Sequence, residues 1–453
     1  MQRADGSADR TRISLPDSLA AVAVRPEEPG YEHARHTYLH RGSPAAVLQV
    51  GNAQDIAAAL DLARDRQLPL SVRSGGHGIS GRSTNDGGIV VDLARLNRVE
   101  VLNSSSRLVR VEAGARWGSV AAALAPYSLA VSSGDTGDVG VGGLATAGGI
   151  GLLSRRHGLT IDHVQAVELV LHDGTPLRVD ADNHPDLFWA MRGAGANYGI
   201  ATAFEFEAEA VDEVLAAVTL FDASDSTALL TRWGAALEAA PRQLTSFLTL
   251  FAGRNGGRPV AQAMSVYAGT NIDAATAALT PVLAAGPVLN NRAALTQYHD
   301  LLPASHVIHR AQQPLSVSRS GLLQHITTPV AELLGSAVGS GAATMVQLRS
   351  IGGAVNDMPT TSTAYPHRTQ NFALMAATLP VHEAILDRHW DQVEPTLHGL
   401  YSSFETRTGH EQLEAAFPGA VLERLRILKA KYDPNQVFCG NFAIPPAPSP
   451  ANR

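Results

Sequence analysis

Three glycine-rich segments carry the residues with the most chemical potential. The first is Arg73-Ser74-Gly75-Gly76-His77-Gly78-Ile79-Ser80-Gly81. Backbone without Cβ atoms can turn its N–H groups inward as an anion-binding nest, and here an imidazole sits in the middle of the turn. No Gly-Lys-Ser/Thr follows, so the segment is not a P-loop. A lone histidine is ordinarily a hydrogen-bonded or surface side chain, and His77 taken by itself carries no more than that. The second segment is Ser133-Gly134-Asp135-Thr136-Gly137-Asp138-Val139-Gly140-Val141-Gly142-Gly143-Leu144, continuing to Gly148-Gly149-Ile150-Gly151. So much glycine argues against a helix or strand there. Val139, Val141, Leu144 and Ile150 interleave with it, which points to a buried backbone path against a flat or phosphorylated ligand rather than a flexible loop. The third is Arg192-Gly193-Ala194-Gly195-Ala196-Asn197-Tyr198-Gly199-Ile200, preceded by Asp186-Leu187-Phe188-Trp189.

The elements that position these segments follow from local signals. Asn52 caps a helix starting near Ala53, with Asp55 in its acidic first turn and Ile56, Leu60 and Ala63 on one face. A strand at 68–73 runs straight into the first glycine segment, and another at 89–93 follows the Asp86-Gly87-Gly88 turn. Residues 107–112 are β-like, and residues 117–127 form an alanine-rich helix. Strands at 164–171 and 176–179 flank Asp173-Gly174, a hairpin signal. From about Val211 the character changes. Helices at 226–239 and 274–284 alternate with strands at 243–253, 260–269, 345–351 and 372–379, the pattern of an α+β unit with an antiparallel sheet. A last helix at 422–432 stops at Asp433-Pro434-Asn435, because proline cannot continue it. The tail from Ala447 is proline-rich and expected to fray.

A chain of 453 residues exceeds one compact core, so two domains are the default. The net charge of −7 and the scattered Arg and Lys argue against nucleic acid as a partner. Residues 1–15 are polar, with Arg3, Asp5, Asp9, Arg10 and Arg12, so they do not read as a signal peptide. No apolar run approaches a membrane span. Cys439 is the single cysteine, which rules out an internal disulfide and a cysteine-rich metal site. These features suit a cytoplasmic α+β protein of two domains with no metal.

Together, in this order and spacing, the three segments resemble the FAD-binding domain of the vanillyl-alcohol oxidase superfamily (the PCMH type), and within it the berberine-bridge-enzyme-like oxidases. The resemblance covers about residues 40–207 and resumes at Leu428-Lys429-Ala430-Lys431-Tyr432-Asp433-Pro434-Asn435-Gln436-Val437-Phe438 and 441–445. It implies a two-part FAD-binding domain, residues 1–210 completed by a C-terminal segment, 416–453. A substrate domain, 211–415, is inserted between them as an antiparallel sheet covered by helices. It further implies a flavoprotein whose FAD is covalently attached, through the 8α-methyl of the isoalloxazine, to His77. The cofactor would lie along Arg73, Ser74, Gly75, Gly76, Gly78 and Ser80, then Gly134, Thr136, Val139, Gly140, Gly142, Gly143, Leu144, Gly148 and Gly149. Asn197, Gly199, Ile200 and Asn441 complete the implied set. Many relatives attach FAD a second time through a cysteine three residues before the Val-Gly-Val-Gly-Gly run. Thr136 stands there, and its hydroxyl forms no thioether, so a single attachment is implied. Cys439 does not match the missing ligand.

The resemblance implies an oxidoreductase: an oxidase acting on a small or medium organic substrate, as in secondary metabolism, with hydride passing to flavin N5 and O2 returning as hydrogen peroxide. Oxygen transfer to the substrate, or a non-redox cyclase or binding role on the same scaffold, are the rival readings. The family's tyrosine base lies in a Tyr-x-Asn-Tyr segment. The corresponding stretch is Tyr401-Ser402-Ser403-Phe404, and phenylalanine cannot take a proton. Substitutes are sought in the second region: Tyr267, Gln347, Arg349, Tyr365, His367 and His325, chosen by location alone. Each has an ordinary alternative as a core-edge or solvent-facing side chain, and the residue types do not choose among them.

Overall fold

The computed structural model describes residues 13–211, 213–253, 257–303, 315–440 and 442–448. Most of the polar N-terminal stretch, Asn441 and the end of the proline-rich tail lie outside the described residues. Among the described residues no helix is long and apolar enough to cross a membrane, and no cluster of three or more His, Cys, Asp or Glu is arranged to hold a metal.

The chain is α+β, with mostly antiparallel sheets. A four-stranded sheet comes first, in the order Ala23–Val24, Ala46–Gln49, Ile89–Asp92, Leu70–Arg73. Its last three strands are parallel. Helix Ala53–Asp65 is the crossover from Ala46–Gln49 to Leu70–Arg73. It starts where the Asn52 side chain accepts the Asp55 N–H at 2.9 Å, and it buries Ile56, Ala59, Leu60 and Ala63. Strand Leu70–Arg73 delivers the chain into the first glycine segment. Arg73 itself turns inward, only 2% exposed. Its Nη2 meets Asp92 Oδ2 at 2.7 Å and its Nη1 donates to the Ala34 carbonyl at 2.6 Å, so it fastens neighbouring strands to the segment before them.

A five-stranded antiparallel sheet, in the order Val99–Asn103, Leu108–Glu112, Ile200–Glu207, Val164–Val170, Pro176–Asp180, shares one apolar core with the first sheet. The hairpin around Asp173-Gly174 is present, and Gly174 takes the left-handed φ of 86° that its turn requires. The second glycine segment departs from the expectation of irregular backbone, because Val141–Ala147 is helical. Gly142 allows it: a Cβ there would stand only 3.1 Å from the Ala113 carbonyl, so a larger residue would hold the helix off its neighbour. The helix ends at Gly148 and Gly149, both at positive φ.

The later region forms a seven-stranded antiparallel sheet. Its order is Val288–Gln297, Glu213–Asp222, Val260–Tyr267, Leu244–Phe251, Met345–Ser350, Phe372–Thr378, Val317–Leu323. Helices Ser226–Ala239, Ile272–Leu283, Thr328–Gly339 and Glu383–Val393 bury their apolar faces on one side of it, through Trp233, Leu279, Leu334 and Trp390 among others. The other side faces the first region. Phe247, Leu322 and Ala373 share a cluster there with Ile150 of the second glycine segment and with Leu152 and Leu153 just after it.

The final helix, Ala420–Tyr432, returns to the first core with Leu422, Leu425 and Leu428. A buried charge network anchors the C-terminal segment beyond this helix. Lys429 Nζ donates to Asp433 Oδ2 at 2.6 Å, to the Asn197 carbonyl at 2.7 Å and to the Phe438 carbonyl at 2.8 Å. The Asp433 carboxylate in turn accepts the N–H groups of Val437 and Phe438. All three ammonium hydrogens are used, which is what makes the burial of this charge tolerable. Removing one partner strands the other. Asp433→Ala should lower the unfolding free energy by about 3–5 kcal/mol, read as a shifted urea midpoint. A midpoint within error of the wild type would contradict this account.

Candidate active site

The two main bodies of the fold enclose a cavity of about 520 Å³. Its floor is the first glycine segment, residues 74–80, together with residues from 134–147. Its roof is the inner side of the seven-stranded sheet, through Gln347, Arg349 and Met375, and the turn Tyr401 to Phe404. Val437, Phe438 and Gly440 close one end. The floor exists because the two glycine segments touch backbone to backbone. A Cβ on Gly75 would lie 2.2 Å from Gly140 N, and one on Gly140 would lie 2.0 Å from Gly75 N. Ser74 Oγ locks the contact by donating to the Ala113 carbonyl at 2.6 Å and accepting the Gly142 N–H at 3.2 Å. Arg116 braces it from behind, with Nη1 bonded to the carbonyls of both Gly75 and Asp138. Burial pushes the Arg116 pKa below its ordinary value, while the neighbouring Asp138 and Asp92 oppose that shift.

With those carbonyls held away, the N–H groups of Gly76, Gly78, Ile79 and Ser80 make no hydrogen bond among the described residues. A Cβ built on Gly78 or Gly143 would meet nothing within 4 Å. Leu70, Val72, Leu93, Val139, Leu144, Ile150 and Ile200 supply apolar wall. Unbonded N–H groups at one stretch and a mainly apolar wall elsewhere fit a ligand that joins a phosphate to a flat ring. His77 stands among these groups, half-buried. The Tyr38 ring stacks on its imidazole at 4.9 Å between centroids and 14° between planes.

The sequence-derived candidates divide sharply. His77, Ser74, Gly75, Gly76, Gly78, Ser80, Gly134, Thr136, Val139, Gly140, Gly142, Gly143, Leu144, Gly199 and Ile200 all line the cavity. Arg73, Gly148, Gly149 and Asn197 do not. Arg73 is the strand fastener described above. A Cβ on Gly148 would meet the Tyr401 ring at 3.0 Å and one on Gly149 the Thr160 hydroxyl at 2.1 Å, so this pair packs against neighbours. Asn197 is 2% exposed, and its Oδ1 accepts the Ile444 N–H at 3.0 Å, tying the C-terminal segment in place. Asn441 lies outside the described residues.

Of the substitute bases, only Gln347 and Arg349 reach the cavity, and neither type is a base at neutral pH. Tyr267 is buried in the sheet's helix-side core. Tyr365 is 3% exposed and burial raises its pKa. His367 donates through Nε2 to the Ala416 carbonyl at 3.0 Å, and burial brings its pKa down to about 4. It is a neutral packing residue pressed against Gly399. His325 is a surface group paired with Glu238 at 2.8 Å. Phe404 also lines the cavity.

Sequence patterns alone do not single out Tyr38, Arg82, Arg116 or Asp135. Asp135 stands in plain view inside the second glycine segment. Its Oδ2 lies 3.0 Å from Arg349 Nη2. Arg349 is clamped between the rings of Phe247 and Phe404, at 4.8 and 4.6 Å from their centroids. Its Nε donates to Gln347 Oε1 at 2.8 Å, and Gln347 Nε2 donates to Thr249 Oγ1 at 3.1 Å.

Comparison with known proteins bears on the floor of this cavity. Residues 44–180 match the family profile described as FAD binding domain. This segment is an FAD-binding domain. An uncharacterized FAD-linked oxidoreductase of Bacillus subtilis is 29% identical over 455 residues, covering 94% of this chain and 97% of that protein. (R)-6-hydroxynicotine oxidase of Paenarthrobacter nicotinovorans is 34% identical over 199 residues, 44% of this chain and 43% of that enzyme, so this match spans less than half of either. The solved structure of glucooligosaccharide oxidase from Acremonium strictum, an enzyme with a 6-S-cysteinyl, 8α-N1-histidyl FAD, shares the fold with a TM-score of 0.81. That alignment covers 95% of this chain and 99% of the other, at 21% identity. The expected α+β fold class therefore stands, and the match over residues 44–180 agrees with the expected FAD-binding domain.

The FAD-binding domain depends on the contact between its glycine segments. Gly140→Ala should force them apart and yield folded protein with little bound flavin. Far-UV circular dichroism should match wild type while the ratio of flavin to protein absorbance falls several-fold. A normal ratio would show that the contact does not shape the site.

Proposed function

We propose that the protein is an FAD-dependent oxidase of small organic molecules, with its FAD held covalently by His77. The observation that carries this reading is the convergence of His77, both glycine segments and the sheet residues Gln347, Arg349 and Met375 on one cavity. The FAD-binding domain and the oxidoreductase relatives support it. The histidyl linkage named for the carbohydrate oxidase supports the covalent bond. Residues 1–210 and 416–453 form the cofactor-holding unit, and residues 211–415 the substrate-holding one. The single cysteine and ordinary composition favour a cytoplasmic protein.

When bound, FAD supplies the hydride acceptor and the route for two electrons to O2. The chain's part is to bind and orient. The N–H groups of Gly76, Gly78, Ile79 and Ser80 suit the diphosphate. Val139 and Leu144 suit one side of the ring, and Met375, Tyr401 and Phe404 leave the opposite side for substrate. Thr136, where many relatives have a cysteine, leaves His77 as the sole attachment.

Two measurements test this. Acid precipitation of wild-type protein should leave a yellow pellet, and His77→Ala should give a colourless pellet with flavin in the supernatant. The variant should stay folded and reduce its flavin more slowly, since the bond sets ring position and potential. Flavin released freely from the wild type would refute the attachment. For activity, flavin bleaching without oxygen is followed with (R)-6-hydroxynicotine, xylobiose, benzyl alcohol and benzylamine. A turnover substrate should give one peroxide per molecule oxidised in air. Product labelled from isotopic O2, with peroxide missing, would point to oxygenation instead.

A further inference from the structure

The proposed oxidase chemistry leaves one proton unassigned. Oxidation of an alcohol or amine removes a hydride from carbon and a proton from oxygen or nitrogen. The resemblance implies Phe404 at the position of the family's proton acceptor, and a phenyl ring takes no proton. Among the described residues lining the cavity there is one carboxylate, Asp135. The other acid near the turn at 401–405, Glu405, is 0% exposed and occupied by the Ser320 N–H and the Arg407 N–H. Tyr401 Oη already receives the Gly149 N–H at 3.0 Å, and Arg349 is only a donor.

Asp135 is built to hold one orientation. Arg349 takes Oδ2 at 3.0 Å and is itself fixed by two phenyl rings and the Gln347–Thr249 string. Among the described residues, Oδ1 receives only a long contact from the adjoining Thr136 hydroxyl, 3.5 Å away. One oxygen is thus tied to the sheet, and the other retains accepting capacity in a residue that lines the cavity. Asp135 also precedes Thr136, where the resemblance implies a second flavin attachment point in many relatives, which would set the carboxylate at the ring end of the cavity. Besides Arg349, the Tyr298 hydroxyl is close enough to interact with it electrostatically. The Tyr298 hydroxyl, fully enclosed, is pushed up to about 12 by burial and stays neutral through the working range.

We propose that Asp135, oriented by Arg349, is the proton acceptor for the substrate's hydroxyl or amine. The proposal rests on the oxidase reading above. In the step, the substrate C–H bond breaks and its electron pair leaves as hydride to the flavin. The O–H or N–H bond breaks and its proton goes to Asp135 Oδ1, while the carbon–heteroatom bond becomes double. Dioxygen then takes two electrons and two protons, one of them from Asp135, and leaves as hydrogen peroxide. Asp135 is the catalytic residue in this scheme and Arg349 a positioning residue.

The test uses the full-length flavoprotein and whichever compound of the panel above bleaches wild type fastest. Asp135→Asn preserves shape and should slow anaerobic bleaching by about 10²–10⁴-fold, the usual span for general base catalysis. Its rate should climb with pH as solvent base replaces the carboxylate, whereas wild type should be flat over the same neutral-to-alkaline range. Arg349→Gln keeps the acceptor and loses its clamp, so it should cost no more than about tenfold in rate. Flavin content and melting temperature, measured on both variants, monitor folding. Asp135→Asn bleaching within threefold of wild type overturns the proposal alone. Equal losses in the two variants, independent of pH, also overturn it, because they mean that the pair is only a tie between loop and sheet. If no compound bleaches wild type, the oxidase reading fails and this inference falls with it.

Discussion

The architecture rests on two backbones meeting where neither can carry a side chain. Gly75 and Gly140 come from segments well separated along the FAD-binding domain, yet each occupies the space where the other's Cβ would be. Contact this close allows the carbonyls to be gathered on one side by Arg116 and Ser74. It leaves residues 76–80 lining the cavity. The polarity of the floor is therefore a backbone property, and the side chains around it serve mainly to keep two loops in register. Even the helix Val141–Ala147 inside the second segment depends on this, because Gly142 is what lets it lie against Ala113.

Much of this is legible wherever the signal is local. Asn52 as a cap, Asp173-Gly174 as a turn and Asp433-Pro434 as a stop each act within a few residues, and the elements they bound are present. Three strands of the large sheet, Glu213–Asp222, Val288–Gln297 and Val317–Leu323, carry no such signal. The first has no turn or cap residue to announce it, the second carries Asn290, Asn291 and Arg292, and the third contains Gly321. What makes them strands is the ladder of partners supplied by distant segments. The site divides in the same way. Glycines that line the cavity announce themselves as a run. By contrast, Arg73 and Asn197, in equally telling motifs, spend their hydrogen bonds on the scaffold. The roles of Asp135 and Arg349 emerge only when strand Met345–Ser350 is laid over the second glycine segment.

The large sheet divides its labour between faces. Against its helices it is a conventional apolar core with Trp233 and Trp390 fully buried. Against the cofactor unit it alternates packing residues such as Phe247 with polar ones such as Gln347 and Arg349. The period of two along each strand places both kinds within a few ångströms. A rigid outer face thus backs an inner face that is free to vary in chemistry. Arg368 and Asp162, bonded twice at 2.8 Å with both side chains buried, fix the two bodies to one another away from that variable surface.

The Lys429 network has a consequence for how the protein is made. Val437, Phe438 and Gly440 wall the cavity, and they are drawn there by an ammonium group whose partners are Asn197, more than two hundred residues earlier, and Asp433 and Phe438 beside it. While the chain is still on the ribosome, the glycine segments and the large sheet can be complete, but the cavity stays open at that end until these residues have emerged from the exit tunnel. Enclosure of a ligand at that end therefore waits for residues 437–440 to be made, long after the glycine segments.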